Sequence, residues 1–251
     1  VIAASGDVMQ TQSLTIASPL THCTLTGVDN ATDIDQLFVL GDLHPFVEWG
    51  TLYSESQAGT GRYPDLHRIE SIARRLEATR ARPSFALHVC GRAVADLLAG
   101  VGRVSDVAEA FDRIQINFLS TRFSLQDIIA TVRRYPAKTI ITQLNAANID
   151  LWMRLADEPN HAVLFDASGG RGIERDQWPH ALRSVPCGYA GGLGPDNVSA
   201  HLPRIQEAAG GALFWIDMEG RLRDERDVFD LARATAVLEH VEQWRSTQGV
   251  I

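Results

Sequence analysis

Along this chain the hydrophobic pattern switches repeatedly between two periods. Short apolar or alternating runs at 23–27, 46–52, 85–90, 113–118, 139–145, 162–166, 188–193 and 213–218 read as strands. The stretches between them repeat apolar residues every three or four positions, the period of a helix with one buried face. Leu66, Ile69, Ile72, Ala73 and Leu76 share one such face. Leu125, Ile128, Ile129 and Val132 share another, with Ser124 and Asp127 as a capping-box start. Asp196 is placed to cap a helix carrying Val198, Leu202 and Ile205, weakened by Pro203. Val228, Leu231, Ala232, Thr235 and Leu238 stripe the last helix. Eight strands alternating with helices at roughly 25-residue spacing predict an α/β fold, a (β/α)8 TIM barrel in a single domain. The rival, a doubly wound open sheet, would carry an early glycine-rich dinucleotide loop, which the sequence lacks. The barrel is read over 21–251, with 1–20 as an N-terminal extension. Val1 is not a start residue, so Met9 is the expected natural start, with the residues before it foreign to the native chain.

Neighbouring side chains on a strand face opposite sides, so parity predicts which residues enter the barrel. In the third strand Leu87 and Val89 suit the helix-facing side, leaving His88 and Cys90 inside. In the fourth, Ile114, Ile116 and Phe118 go outward and Gln115 and Asn117 inward. The same reasoning turns Thr24 and Thr26, Glu48, Gln143 and Asn145, and Asp217 and Glu219 inward, and ends the sixth strand at Asp166. A purely structural barrel would fill these layers with Val, Ile and Leu; this one is polar toward the C-terminal strand ends, where such barrels place their sites.

Composition narrows the partners. Acids outnumber bases 31 to 23, for a net charge of −8, which argues against nucleic acid. No apolar run reaches the roughly 18 residues of a membrane span. The three cysteines, Cys23, Cys90 and Cys187, are too few for a disulfide framework and point to a reducing cytoplasm. Lys138 is the only lysine and precedes its strand, which disfavours Schiff-base chemistry.

Two segments resemble a known family. Leu164-Phe165-Asp166-Ala167-Ser168-Gly169-Gly170-Arg171-Gly172, followed by Trp178, resembles the sixth-strand motif of phosphoribosylanthranilate isomerase. Tyr189-Ala190-Gly191-Gly192-Leu193-Gly194-Pro195-Asp196-Asn197-Val198 is still more similar to its seventh-strand motif. Trp215-Ile216-Asp217, Leu25-Thr26-Gly27 leading to Asp33, and Arg62-Tyr63 fall in matching order. The resemblance implies a metal-free Amadori rearrangement, in which an acid protonates a ring oxygen and a base removes the adjacent C–H proton. It places Asp166 at the acid, Arg62 at the anthranilate carboxylate, and Gly191-Gly192 with the helix start near Asp196-Asn197 at an anion. Two positions depart from it: Thr26 stands where the family has its basic cysteine, and Glu219 lies in the loop where paired serines hold phosphate. A carboxylate 4 Å from a unit negative charge costs about 4 kcal/mol at an effective dielectric of 20.

The expectation is a cytoplasmic isomerase or lyase performing acid/base chemistry on a small polar, phosphorylated or otherwise anionic metabolite, with no cofactor and no metal. Asp166 is the expected acid, and Glu48, His88 or Cys90 the base. Gln115, Asn117, Gln143 and Asn145 would hold the substrate, with Arg62, Arg171, Gly191, Gly192, Asp217 and Glu219 completing the binding set. No nucleic-acid or membrane partner is expected, and the oligomeric state is open. One alternative gathers Glu48, His88, Asp166 and Asp217 around a divalent cation, faintly resembling metal-dependent pentulose-phosphate epimerases. Another is a non-catalytic ligand-binding barrel that has lost the isomerase base.

Overall fold

The computed structural model describes residues 18–117, 123–145, 148–166 and 173–248. Eight parallel strands close into one barrel in chain order: β1 (Leu20–Thr26), β2 (Val47–Tyr53), β3 (Ser84–Cys90), β4 (Arg113–Asn117), β5 (Thr139–Leu144), β6 (His161–Phe165), β7 (Cys187–Ala190) and β8 (Phe214–Met218). Each strand read from the hydrophobic pattern is present. Closure is made by β1, which pairs with β2 on one side and with β8 on the other, through Thr24 to Asp217 and Leu25 to Met218.

The helices are α1 (Ile34–Leu43), α2 (Leu66–Ala78), α3 (Ala93–Ala99), α4 (Gly102–Ala108), α5 (Leu125–Arg134), α6 (Leu151–Arg154), α7 (Val198–Ala209) and α8 (Leu231–Gln248). Local chemistry explains several starts. The Asp33 side chain accepts from the first-turn amides of α1, Asp65 from Arg68 N at 2.7 Å, and Ser124 from Asp127 N at 3.1 Å. Helix α2 buries Ile69, Ile72, Ala73 and Leu76, as its spacing predicts.

The regular alternation is broken in two places. The β3–β4 connection holds two helices, and the β6–β7 connection holds none among the described residues. Two helix readings also need correction. Asn197, not Asp196, occupies the cap position of α7, and it makes no side-chain capping bond to the helix. Its amide instead accepts from Gly194 N at 2.9 Å and donates to Gly192 O at 3.0 Å, pinning the turn that precedes the helix. Helix α8 buries Ala234, Val237, Leu238, Val241 and Trp244, whereas Ala232 is exposed. The face is rotated from the expected stripe, and its Trp244 packs against Phe214 of β8.

Strand parity sorts the core into two bodies. Outward residues such as Leu25, Trp49, Leu87, Ile114, Val163, Tyr189 and Ile216 merge with the helix faces into one large cluster. Ile141, Ala162, Leu164 and Trp215 form a separate small cluster, and all four are inward by the same alternation. Among the described residues no helix is long and apolar enough to cross a membrane.

Candidate functional site

The floor of the barrel is an ion pair. Glu48, second in β2, is fully buried; its Oε1 accepts from Thr24 Oγ1 and from Arg113 Nη1, each at 2.8 Å, and its Oε2 accepts from Ser84 Oγ at 3.0 Å. Arg113, first in β4, lies over the Trp215 ring with its guanidinium carbon 4.3 Å from the centroid. Gly188 of β7 leaves room for that indole, since a Cβ there would overlap it. Burial presses the Glu48 carboxyl upward, but Arg113, His22 and the Thr24 hydroxyl outweigh it and the net shift is down. Glu48 is therefore placed at the N-terminal strand ends, away from the mouth.

Above the floor on one side stands a chain of neutral polar groups. Gln115 Nε2 donates to His88 Nδ1 at 3.3 Å and to Asn117 Oδ1 at 3.0 Å, and Asn117 Nδ2 reaches Cys90 Sγ at 3.3 Å. An amide nitrogen only donates, so His88 Nδ1 accepts and its proton sits on Nε2. Burial lowers the His88 pKa to about 4 and raises that of Cys90 to about 11. At neutral pH the pair is an uncharged imidazole and an uncharged thiol. His88 Nε2 and Gln115 Oε1 are buried and have no hydrogen-bond partner.

The mouth is acidic. Asp166 follows β6, is 3% exposed, and accepts from Gln143 Nε2 at 3.2 Å. Asp217 of β8 accepts from Thr26 Oγ1 at 2.8 Å. Gly50 makes this contact possible, because a Cβ on β2 at that point would overlap the Thr26 hydroxyl. Glu219, just past β8, is held by Arg62 of the β2–α2 loop at 2.5 Å, and Arg62 also lies 3.6 Å from Asp227. Burial raises the Glu219 carboxyl, and Arg62 offsets only part of that.

Beyond β7, Gly191 and Gly192 have φ of 150° and 64°, a backbone that L side chains rarely adopt. The stem of Arg175 lies against Gly191 where a side chain would go, and its Nε donates to Ala190 O at 3.1 Å. Its guanidinium is within electrostatic reach of Asp166. Asn145 follows β5 and is half-buried, its backbone N–H donating to Asn148 Oδ1 at 2.7 Å. Arg171 and the rest of 167–172 lie outside the described residues, as does Phe118.

Several solved structures are similar to this chain. TrpF from Jonesia denitrificans superposes with a TM-score of 0.58 at 15% identity, over 88% of this chain and 97% of its own. Phosphoribosyl anthranilate isomerase from Thermus thermophilus gives 0.57 at 14% identity, over 89% and 99%. The enzyme of that name from Thermotoga maritima gives 0.57 at 12%, over 89% and 100%. The chain shares its (β/α)8 fold with these phosphoribosylanthranilate isomerase structures. No protein-family model and no curated protein matches the chain.

Within this barrel, the two positions that depart from the sequence motifs have found partners. The Thr26 hydroxyl is bonded to Asp217, and the Glu219 charge is met by Arg62 rather than left bare. Among the described residues no group of three or more His, Cys, Asp and Glu side chains is arranged to hold a metal ion. Glu48 is held by Arg113 at the floor and still acts electrostatically on Asp217.

Sequence reasoning missed Arg113, Arg175 and Tyr63. The alternation that turns Gln115 and Asn117 inward also turns Arg113 inward, so its signal was present. Arg175 sits in a connection without helical period, and no pattern points to it. Tyr63, next to Arg62, reaches Cys90 from the β2–α2 loop, a contact that only loop geometry could reveal.

Proposed function

We propose that the chain is an isomerase or lyase that moves protons on a small polar, anionic metabolite held at the C-terminal mouth of the barrel. The observation that carries this reading is Asp166. It is a buried carboxyl at the end of a strand, at the face where such barrels do chemistry, with an amide donor and a nearby guanidinium around it. Gln115, Asn117, Gln143 and Asn145 supply neutral hydrogen-bonding groups for substrate hydroxyls. The Gly191-Gly192 turn, Arg175 and Arg62 give the anionic end its place, with Arg171 from the sequence motif as a further contact.

Glu48 serves the floor in this reading, since both its oxygens are already satisfied. A thiol held up at about 11 and an imidazole held down at about 4 make Cys90 and His88 weak bases near neutrality. They fit better as binding groups, with the unpartnered His88 Nε2–H and Gln115 Oε1. Similarity to isomerase structures supports phosphoribosylanthranilate as the first substrate to try, in a cytoplasmic setting.

The test is turnover of phosphoribosylanthranilate by the full chain, beside Asp166→Asn. The wild type should convert it, and the variant should lose at least about 10²-fold in kcat while keeping its melting temperature. An active Asp166→Asn chain removes the assignment. A parallel thermal-shift series with inorganic phosphate and a product analogue covers the ligand-binding alternative. Ligand at 100 times its Kd adds about 2.7 kcal/mol, so stabilisation without turnover identifies a binding barrel.

A further inference from the structure

Four carboxyls face into the barrel among the described residues: Glu48, Asp166, Asp217 and Glu219. Three have a cation. Arg113 holds Glu48 at 2.8 Å and Arg62 holds Glu219 at 2.5 Å. The Arg175 charge reaches Asp166, which also accepts the Gln143 amide. Among the described residues Asp217 has no arginine, and its one hydrogen bond there is from Thr26, a hydroxyl that can donate or accept.

The groups around Asp217 come from every strand packed on it. Thr26 faces it from β1 and Glu48 acts on it from β2, while the Cys23 thiol of β1, turned outward, feels its charge through the strand. Asp166 faces it from β6 and Glu219 from its own strand end, while β7 contributes the uncharged Ala190 as its register partner. Among the described residues the charged groups that act most strongly on it, Glu219, Glu48 and Asp166, are all acids. Unlike the other three, a buried negative charge on Asp217 would have no counter-ion of its own among the described residues, which a carboxyl escapes by keeping its proton. Burial and the neighbouring charges accordingly push Asp217 well above the usual carboxylate range, against the pull of Thr26.

We propose that Asp217 is a neutral carboxylic acid and the proton donor of the pocket, with Asp166 as the proton acceptor. The proposal rests on the isomerase reading above and reverses the role that the sequence resemblance gives Asp166. Donors and positive charge surround Asp166, and other acids surround Asp217; paired carboxyls in such opposed surroundings take opposite roles.

The proton balance closes. Asp217 gives its proton to the substrate ring oxygen as the C1–O bond breaks to an iminium. Asp166 takes the proton from C2, and that C–H electron pair forms the enaminol. Ketonisation then sends the enol O–H proton to the Asp217 carboxylate while Asp166 returns its proton to C1. Both groups end as they began, and the sum is an isomerisation.

The experiment is carboxyl-carbon NMR of the aspartate-labelled full chain across pH, comparing wild type, D217N, D166N and T26V. One carboxyl should retain its acid form at neutral pH, be lost in D217N and persist in D166N. In T26V, where the hydroxyl donor is gone, that acid form should survive to higher pH, so the proposal stays testable if D217N folds poorly. Loss of the signal in D166N, its absence from wild type, or a shift to lower pH in T26V overturns the proposal. With phosphoribosylanthranilate as probe, D217N should lose at least about 10²-fold in kcat with KM little changed. Full turnover by D217N also overturns it. A wild type that leaves this probe untouched defeats the isomerase reading alone, while the NMR still decides the charge on Asp217.

Discussion

Trp215 fills the barrel interior because Gly188, on the neighbouring strand, has no side chain. An added methyl would strike the indole face, and neither the strand nor the ring can move without disturbing Arg113 above it. Gly188→Ala should therefore destabilise the fold by about 1–3 kcal/mol, the usual cost of overpacking. Urea unfolding measures it, and adding Trp215→Phe should restore part of the loss. Strand parity makes Trp215 inward from sequence; the need for glycine beside it appears only when β7 and β8 are paired. The same holds for Gly50 and Thr26. Asp166 and Asp217 were legible as inward carboxyls, but their different surroundings come from arginines on other loops.

At the scale of elements, β2 and β4 are tied beneath the pocket by Glu48 and Arg113 although β3 lies between them. Removing one partner leaves an uncompensated buried charge, so Arg113→Leu should cost about 3–5 kcal/mol. The double variant with Glu48→Gln should recover much of this, and a double-mutant cycle from denaturant midpoints checks the coupling. Strands were the most legible elements because each reads as a run of apolar residues whatever its neighbours do. Helix faces were less so. The α7 cap shifted to Asn197 because its amide is used by the glycine turn, and the buried face of α8 carries Trp244 against Phe214 on β8. Neither neighbour is visible in local spacing.

For the whole molecule, acid sensitivity follows from histidines enclosed without charge. Burial lowers His88 and His161 from 6.5 to about 4, so unfolding at pH 5 takes up protons that the folded chain refuses. Their stabilisation is complete above pH 6.5 and is lost as pH falls toward about 4, at up to about 1.4 kcal/mol per pH unit for each histidine. The raised Asp217 and Glu219 act in the opposite sense, since the folded state binds their protons first. His161→Gln, which keeps a partner for Thr142, should flatten the profile by about one proton in chemical denaturation from pH 7 to 4. An unchanged slope would mean that His161 is charged in the fold.

The sequence by itself determined the eight strands, their parity and the barrel, because the burial pattern of a strand is local and its period is two. It also carried the polar interior and the motifs that resemble phosphoribosylanthranilate isomerase. Tertiary structure decided which polar residues meet: Glu48 with Arg113 at the floor, Glu219 with Arg62 at the mouth, Thr26 with Asp217 across the closing strands. Those pairings depend on register between strands and on the reach of loops far apart in the chain. Charge state follows the pairings, and so the division of roles between Asp166 and Asp217 is set by the closed barrel.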